Sequence, residues 1–155
     1  MTEPLVVEFE VDASRRHAFE TWTARCGLWW PKSHTISGDP AAITFQPRPG
    51  GRIFERAADG AEHEWGEVLD WEPPGRLRYL WHLFFDRTEA TEVEISFTER
   101  DGKTVVRIEQ RGWDRLGEAG PPRREKTGHA WAAIGQLFQQ ACTRHVEPEA
   151  GPPPR

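Results

Sequence analysis

Trp65, Glu67, Leu69 and Trp71 fall at alternate positions of a run that reads as a β-strand, so regular alternation puts one carboxylate among three large apolar neighbours. A buried carboxylate must be paired or protonated, and loss of solvent raises its pKa towards working pH. Glu67 on that face is a general base, or a polar anchor that orients a guest. The adjacent Gly66 opens the other reading, a bulge that reverses the register and sends Glu67 to solvent. Gln110 shares a strand parity with Val106 and Ile108. Its amide donates and accepts hydrogen bonds without titrating near neutral pH, which favours binding over catalysis unless backbone at the strand end satisfies it. If the chain is an enzyme, Glu67 is the base and Gln110 the orienting amide for proton transfer on a bound aromatic or polyketide-like guest.

Other polar residues carry less. Leu77, Tyr79, Trp81, Leu83 and Phe85 share an apolar strand parity expected to face inward, which turns His82 outward together with Leu80 and Phe84. Exposed Leu80 and Phe84 fit a homodimer contact, cover from the tail, or an isolated surface pair. His63-Glu64-Trp65-Gly66-Glu67 has the look of a zinc motif but lacks the second histidine and reads as a strand. The Pro47-to-Gly51 segment PRPGG lacks the Lys and Ser or Thr of a phosphate loop and reads as a hairpin turn. No GxSxG elbow is present, and Cys26 and Cys142 have no flanking histidine. No metal and no cofactor are expected.

The elements that hold these residues follow from periodicity. Leu5 to Val11 alternates as a first strand, Ser14 or Asp12 caps a short helix carrying Ala18, Phe19 and Trp22, and Leu28 to Trp30 forms a further helical turn before Pro31. Strands separated by turn chemistry then run from Ile43 to Gly112, including the Asp101-Gly102 hairpin turn, so an antiparallel sheet is expected. From Pro122 to about His145, Trp131, Ile134, Phe138, Ala141, Cys142 and His145 recur at steps of three and four and line one face of a long helix. Gly128 and Gly135 fall two turns apart on that same stripe, at a cost of about 1 kcal/mol each relative to alanine. Either the helix backbone packs closely on a neighbour there, or the missing side chains leave room for a guest.

A chain of 155 residues is expected to form one domain, here 3–146, followed by a disordered proline-rich tail over 147–155. Eight Trp and eight Phe against one Tyr and one Met imply a core or pocket built from rings. A net charge of −5 without clustered basic runs argues against nucleic acid or an anionic membrane as partner. Two isolated cysteines and the absence of a signal-peptide pattern point to the cytoplasm.

Trp22, the Trp29-Trp30 pair, Pro49-Gly50-Gly51-Arg52, Gly66-Glu67-Val68, Pro73-Pro74, Leu77, Trp81 and Gly112-Trp113 form an ordered set within FQPRPGGRIFER, WGEVLDWEPPGRLRYLWHL and TEVEISFTERDGKTVVRIEQRGW. The set resembles the activator of heat-shock-protein-90 ATPase homologue-like proteins, of the START or birch-pollen-allergen-like helix-grip (SRPBCC) superfamily. The resemblance implies an α+β helix-grip fold, a curved seven-stranded antiparallel sheet around the long C-terminal helix, with two short helices after the first strand. It also implies an internal apolar cavity for a small hydrophobic or aromatic ligand. The lining expected from the residues is Trp30, Phe54, Trp65, Trp81, Phe97, Ile108, Gln110, Trp131, Gly135 and Phe138. A chaperone partner and a stress-response role are the namesakes' property, and a cyclase- or aromatase-like enzyme using Glu67 is the remaining alternative.

Overall fold

The computed structural model describes residues 2–150, the side chains of 144–150 excepted. The first strand, β1 (Leu5–Val11), leads into α1 (Arg15–Trp22), where the Ser14 hydroxyl accepts the His17 amide at 3.1 Å and caps the helix. A single turn follows, α2 (Cys26–Trp29), ended by the Trp30-Pro31 step. Six strands come next: β2 (Pro40–Phe45), β3 (Arg52–Ala57), β4 (Glu62–Glu72), β5 (Arg76–Trp81), β6 (Thr91–Arg100) and β7 (Lys103–Arg111). A 3-10 segment, Trp113–Ala119, precedes α3 (Gly120–Ala150), whose first turn tolerates Pro121 and Pro122 because those N–H groups would have no helical acceptor.

All seven strands join one antiparallel sheet in the order β1-β7-β6-β5-β4-β3-β2. The sheet curls around α3, which is the expected helix-grip arrangement. On α3, Trp131, Ile134, Phe138, Ala141 and Cys142 are all buried, as the three-and-four spacing requires. The side chain of His145, expected on that stripe, lies outside the described residues, as do 151–155 of the tail expected over 147–155; the tail's first residues, 147–150, continue α3.

Two bulges on β4 set the curl and the facing of its side chains. Against β3, Gly66 opposes Ile53 and Glu64 opposes Phe54, so Trp65 is an extra residue; against β5, Val68 opposes Tyr79 and Asp70 opposes Arg78, so Leu69 is extra. Trp65 and Gly66 consequently both lie on the concave side, Glu67 turns out and Val68 in, and the second extra residue, Leu69, restores the parity so that Trp71 faces inward again. Only glycine fits at 66: an added Cβ would lie 2.0 Å from the Leu80 carbonyl oxygen.

The concave side is packed with rings under the C-terminal half of α3. Trp22 meets Phe138 at 4.9 Å between centroids and Trp29 at 5.3 Å, while Phe19 meets Phe97 at 5.3 Å and Trp71 at 5.1 Å. The convex side of β4 to β7 carries ion pairs instead, with Arg76, Arg78 and Arg111 each holding at least two of Asp70, Glu72, Glu92, Glu94 and Glu109. Among the described residues no helix is long and apolar enough to cross a membrane.

Candidate functional site

Under the N-terminal half of α3 the packing opens into a pocket of about 630 Å³. Its floor is Trp30, Trp81, Gln110 and Trp131; its helical wall is Arg123, Lys126, Thr127, His129, Ala130, Ala133 and Ile134; its rim is Ser33, His34 and the β5–β6 connection Leu83, Phe84 and Phe85. The volume falls in the range of small-molecule sites. Small residues account for the space, because α3 presents Thr127, Ala130 and Ala133 where larger side chains would fill it.

The three floor indoles form a cluster, with centroids of Trp30 and Trp81 at 5.8 Å, Trp30 and Trp131 at 6.3 Å, and Trp81 and Trp131 at 6.4 Å. Trp30 donates its Nε1–H to the His34 carbonyl at 3.0 Å, and Trp131 donates to Gln110 Oε1 at 2.7 Å. Gln110 in turn donates from Nε2 to Thr91 Oγ1 at 2.8 Å, and Thr91 donates to the Trp81 carbonyl at 3.4 Å. The amide expected to orient a guest therefore first orients Trp131, through side chains rather than strand-end backbone. Polar handles so engaged leave the indole faces for apolar contact.

Trp65 stands one layer behind, against Trp30 at 5.4 Å and Trp81 at 5.7 Å. Its Nε1–H goes to the Glu55 carboxylate at 2.8 Å, which also accepts the amides of Ile36 at 2.7 Å and Ser37 at 2.9 Å. Burial works to raise the Glu55 pKa, but these donors and the Ser37 hydroxyl prevail and hold it below its ordinary value. Glu55 ties the loop after Trp30 to the sheet and so positions the Trp30 wall. Sequence reading missed it, although its parity with Ile53 was a signal that it faces inward.

Several expected site residues stand elsewhere. Glu67 opposes Arg52 and Leu80 on the convex side, is partly exposed, and pairs with Arg87, because the Trp65 bulge reverses its parity. It is no cavity base. Phe54 also faces the convex side, where the Arg52 guanidinium lies 4.3 Å over its ring, since Ile53 and Glu55 take the inward positions. Gly135 faces β1, with the Phe9 ring 3.0 Å from where its Cβ would be, and Gly128 faces Leu5 at 3.4 Å; close packing, not guest space, uses both glycines. Trp65, Phe97, Ile108 and Phe138 are fully buried and belong to the filled core beside the pocket, not to its walls. Trp30, Trp81, Gln110 and Trp131 do line it.

The β5–β6 connection also departs from expectation. The strand ends at Trp81, and Phe84 adopts a left-handed φ of 73°, which turns Phe84 and Phe85 out to the rim instead of continuing the alternation to an inward Phe85. His82 is 4% exposed, with its ring nitrogens at 3.1 Å from the Phe85 carbonyl and 3.2 Å from Glu64, so it is covered rather than solvent-facing. Arg123 lies 3.6 Å over the Phe85 ring and donates to the Glu89 carbonyl at 2.9 Å. Burial raises the thiol pKa of both cysteines, that of Cys142 to about 12, which leaves them inert.

Comparison with known proteins agrees with this architecture. An anthrahydroquino-gamma-pyrone synthase, Txn09, solved as a complex, is 32% identical with a TM-score of 0.58, over 77% of this chain and 82% of that one. CalC from Micromonospora echinospora, a self-sacrificing resistance protein, is 25% identical with a TM-score of 0.71, over 92% and 96%. The Aha1 dimer from Colwellia psychrerythraea shares the fold at 15% identity and a TM-score of 0.66, over 91% and 96%. No curated protein matches the sequence. The family model for activator of Hsp90 ATPase homolog 1-like protein matches residues 12–139, and the chain belongs to that family.

Proposed function

We propose that the protein binds a small apolar, preferentially aromatic molecule in the pocket between the first half of α3 and the sheet. The observation that supports this best is the indole floor: Trp30, Trp81 and Trp131 meet at one end of a 630 Å³ space. An aromatic body that buries about 200 Å² gains roughly 5 kcal/mol at about 25 cal/mol per Å². Offset or edge contacts with the rings add about 0.5–1.5 kcal/mol each, so affinities in the micromolar decades are expected. The 32% identity to a synthase whose name specifies a fused aromatic pyrone favours an aromatic guest over a sterol or a flexible chain. A chaperone partner has the family description in its favour, whereas the indole-floored pocket favours a small molecule.

The experiment is a tryptophan-fluorescence titration with planar aromatics, sterols and fatty acids, on the parent and on Ala130→Trp. Ala130 lines the wall, and an indole there occupies the space. The parent is expected to respond to planar aromatics at micromolar concentration, with affinity at least tenfold weaker in the variant. Equal affinity in a folded Ala130→Trp protein overturns the reading.

A further inference from the structure

The pocket's rim has a charge character that an apolar guest alone does not use. Although the chain carries 25 acidic against 20 basic residues, no Asp or Glu lines the pocket, while Arg123, Lys126, His34 and His129 do. The contrast with the rest of the molecule is sharp. Arg76, Arg78 and Arg111 on the convex sheet are each met by two or more carboxylates, yet neither Arg123 nor Lys126 has an ion-pair partner among the described residues. Arg123 is half-buried, and burial lowers its pKa more than the nearby Glu89 carboxylate raises it; the Glu89 contact that fixes it is to a neutral carbonyl. Phe85 covers one face of the guanidinium. One N–H and one face are thus engaged, and other donors of the fork remain at the rim of an apolar space.

We infer that the guest is an amphiphilic monoanion, an aromatic acid whose carboxylate sits at the rim against Arg123 and Lys126 while its rings lie on the indole floor. This rests on the proposed binding of an apolar molecule and adds its head group. A half-buried guanidinium next to an exposed ammonium suits one planar oxyanion: the fork supplies directed hydrogen bonds and the lysine a movable charge. The guest's single negative charge then offsets part of the positive surplus at the rim.

Two probes that share one aromatic body test it. 8-Anilinonaphthalene-1-sulfonate is N-phenyl-1-naphthylamine with one added sulfonate, so the ratio of their dissociation constants isolates the anion. At low salt the parent is expected to bind the sulfonate about tenfold tighter than the neutral probe, and benzoate-type acids should displace it better than their methyl esters. Lys126→Gln is expected to reduce the ratio about threefold and Arg123→Gln/Lys126→Gln to bring it near one; the ratio is taken within each variant, so a change of the wall that affects both probes alike cancels. Arg48→Gln, on the exposed β2–β3 turn, should leave the ratio as it is. Lys126 makes no hydrogen bond or ion pair among the described residues, so its single substitution reads the charge without disturbing the wall. Equal affinity for the two probes in the parent, or a ratio that survives the double substitution, overturns the anionic guest while the neutral probe's binding leaves the apolar pocket standing. Binding of neither probe overturns both.

Discussion

Gln110→Leu should be among the most costly single changes near the pocket. The amide joins two buried groups, the Trp131 indole N–H at 2.7 Å and the Thr91 hydroxyl at 2.8 Å, and Trp131 and Thr91 are 2% and 0% exposed. Leucine is close in size but offers neither an acceptor nor a donor. Stranding the indole N–H costs about 1–3 kcal/mol, whereas the Thr91 hydroxyl still reaches the Trp81 carbonyl and loses less. Against this stands about 1 kcal/mol from an apolar side chain in an apolar site. The net expectation is a loss of about 1–3 kcal/mol, read as a shift of the urea midpoint at unchanged slope by far-UV circular dichroism. Trp131→Phe removes the same bond from the other side. The double variant should therefore lose less than the sum of the two, with a coupling of about 1–2 kcal/mol. A cost under about 0.5 kcal/mol for Gln110→Leu, or strict additivity with Trp131→Phe, would refute the claim that the amide holds the indole floor in place.

Four further changes have definite expected outcomes. Gly66→Ala drives a Cβ into the Leu80 carbonyl and should cost about 3 kcal/mol or more, or prevent folding, as read by thermal melting. Gly128→Ala meets only the end of the Leu5 side chain at 3.4 Å, so the helix-propensity gain should raise stability by about 0.5–1 kcal/mol in the same assay. The depressed pKa of Glu55 contributes stability that is present above its ordinary value of 4.5 and is lost as pH falls through the folded value. Glu55→Gln should thus cost about 2 kcal/mol at pH 7, and its stability gap to the parent should narrow as pH drops below 4.5. Glu67→Gln removes one partner of an exposed pair with Arg87; denaturant unfolding and probe titration should show less than about 0.5 kcal/mol of change and unaltered affinity.

The architecture was legible because each cue was local. Alternation in Val93, Ile95 and Phe97, turn residues at Asp101-Gly102 and the three-and-four spacing from Trp131 to Cys142 each define one element, and the sheet order follows from consecutive hairpins. The floor residues Trp30, Trp81, Gln110 and Trp131 were legible for the same reason. Glu67 was not, because its direction depends on how β3 and β5 pair with β4, and the extra residue at Trp65 reverses the side chains that follow it up to the second bulge at Leu69. Phe97, Ile108 and Phe138 face inward as their spacing says, but whether an inward ring fills a core or lines a void depends on what stands opposite. Here Phe19, Trp22 and Trp29 of the first two helices fill that half. The helical wall left a trace that was readable: Arg123, Thr127, Ala130 and Ile134 recur at three and four residues beside the Trp131 stripe, with small side chains in the middle and a base at the end. The rim depended on the left-handed turn at Phe84, a residue type that gives no warning of such a conformation.

The central claim is that a guest lies on the floor formed by Trp30, Trp81 and Trp131. With eight indoles distributed between the pocket, the filled core and the 3-10 segment, indole Nε1–H resonances of 15N-tryptophan-labelled protein locate a ligand directly. On titration with N-phenyl-1-naphthylamine, the cross-peaks of Trp30, Trp81 and Trp131 are expected to move saturably and furthest, those of Trp22 and Trp29, which touch Trp131 and Trp30, to move less, and that of Trp71, which packs on Phe19, to stay in place. Saturable movement confined to Trp22, Trp29 or Trp71, or no movement of any indole at saturating probe, would contradict the account.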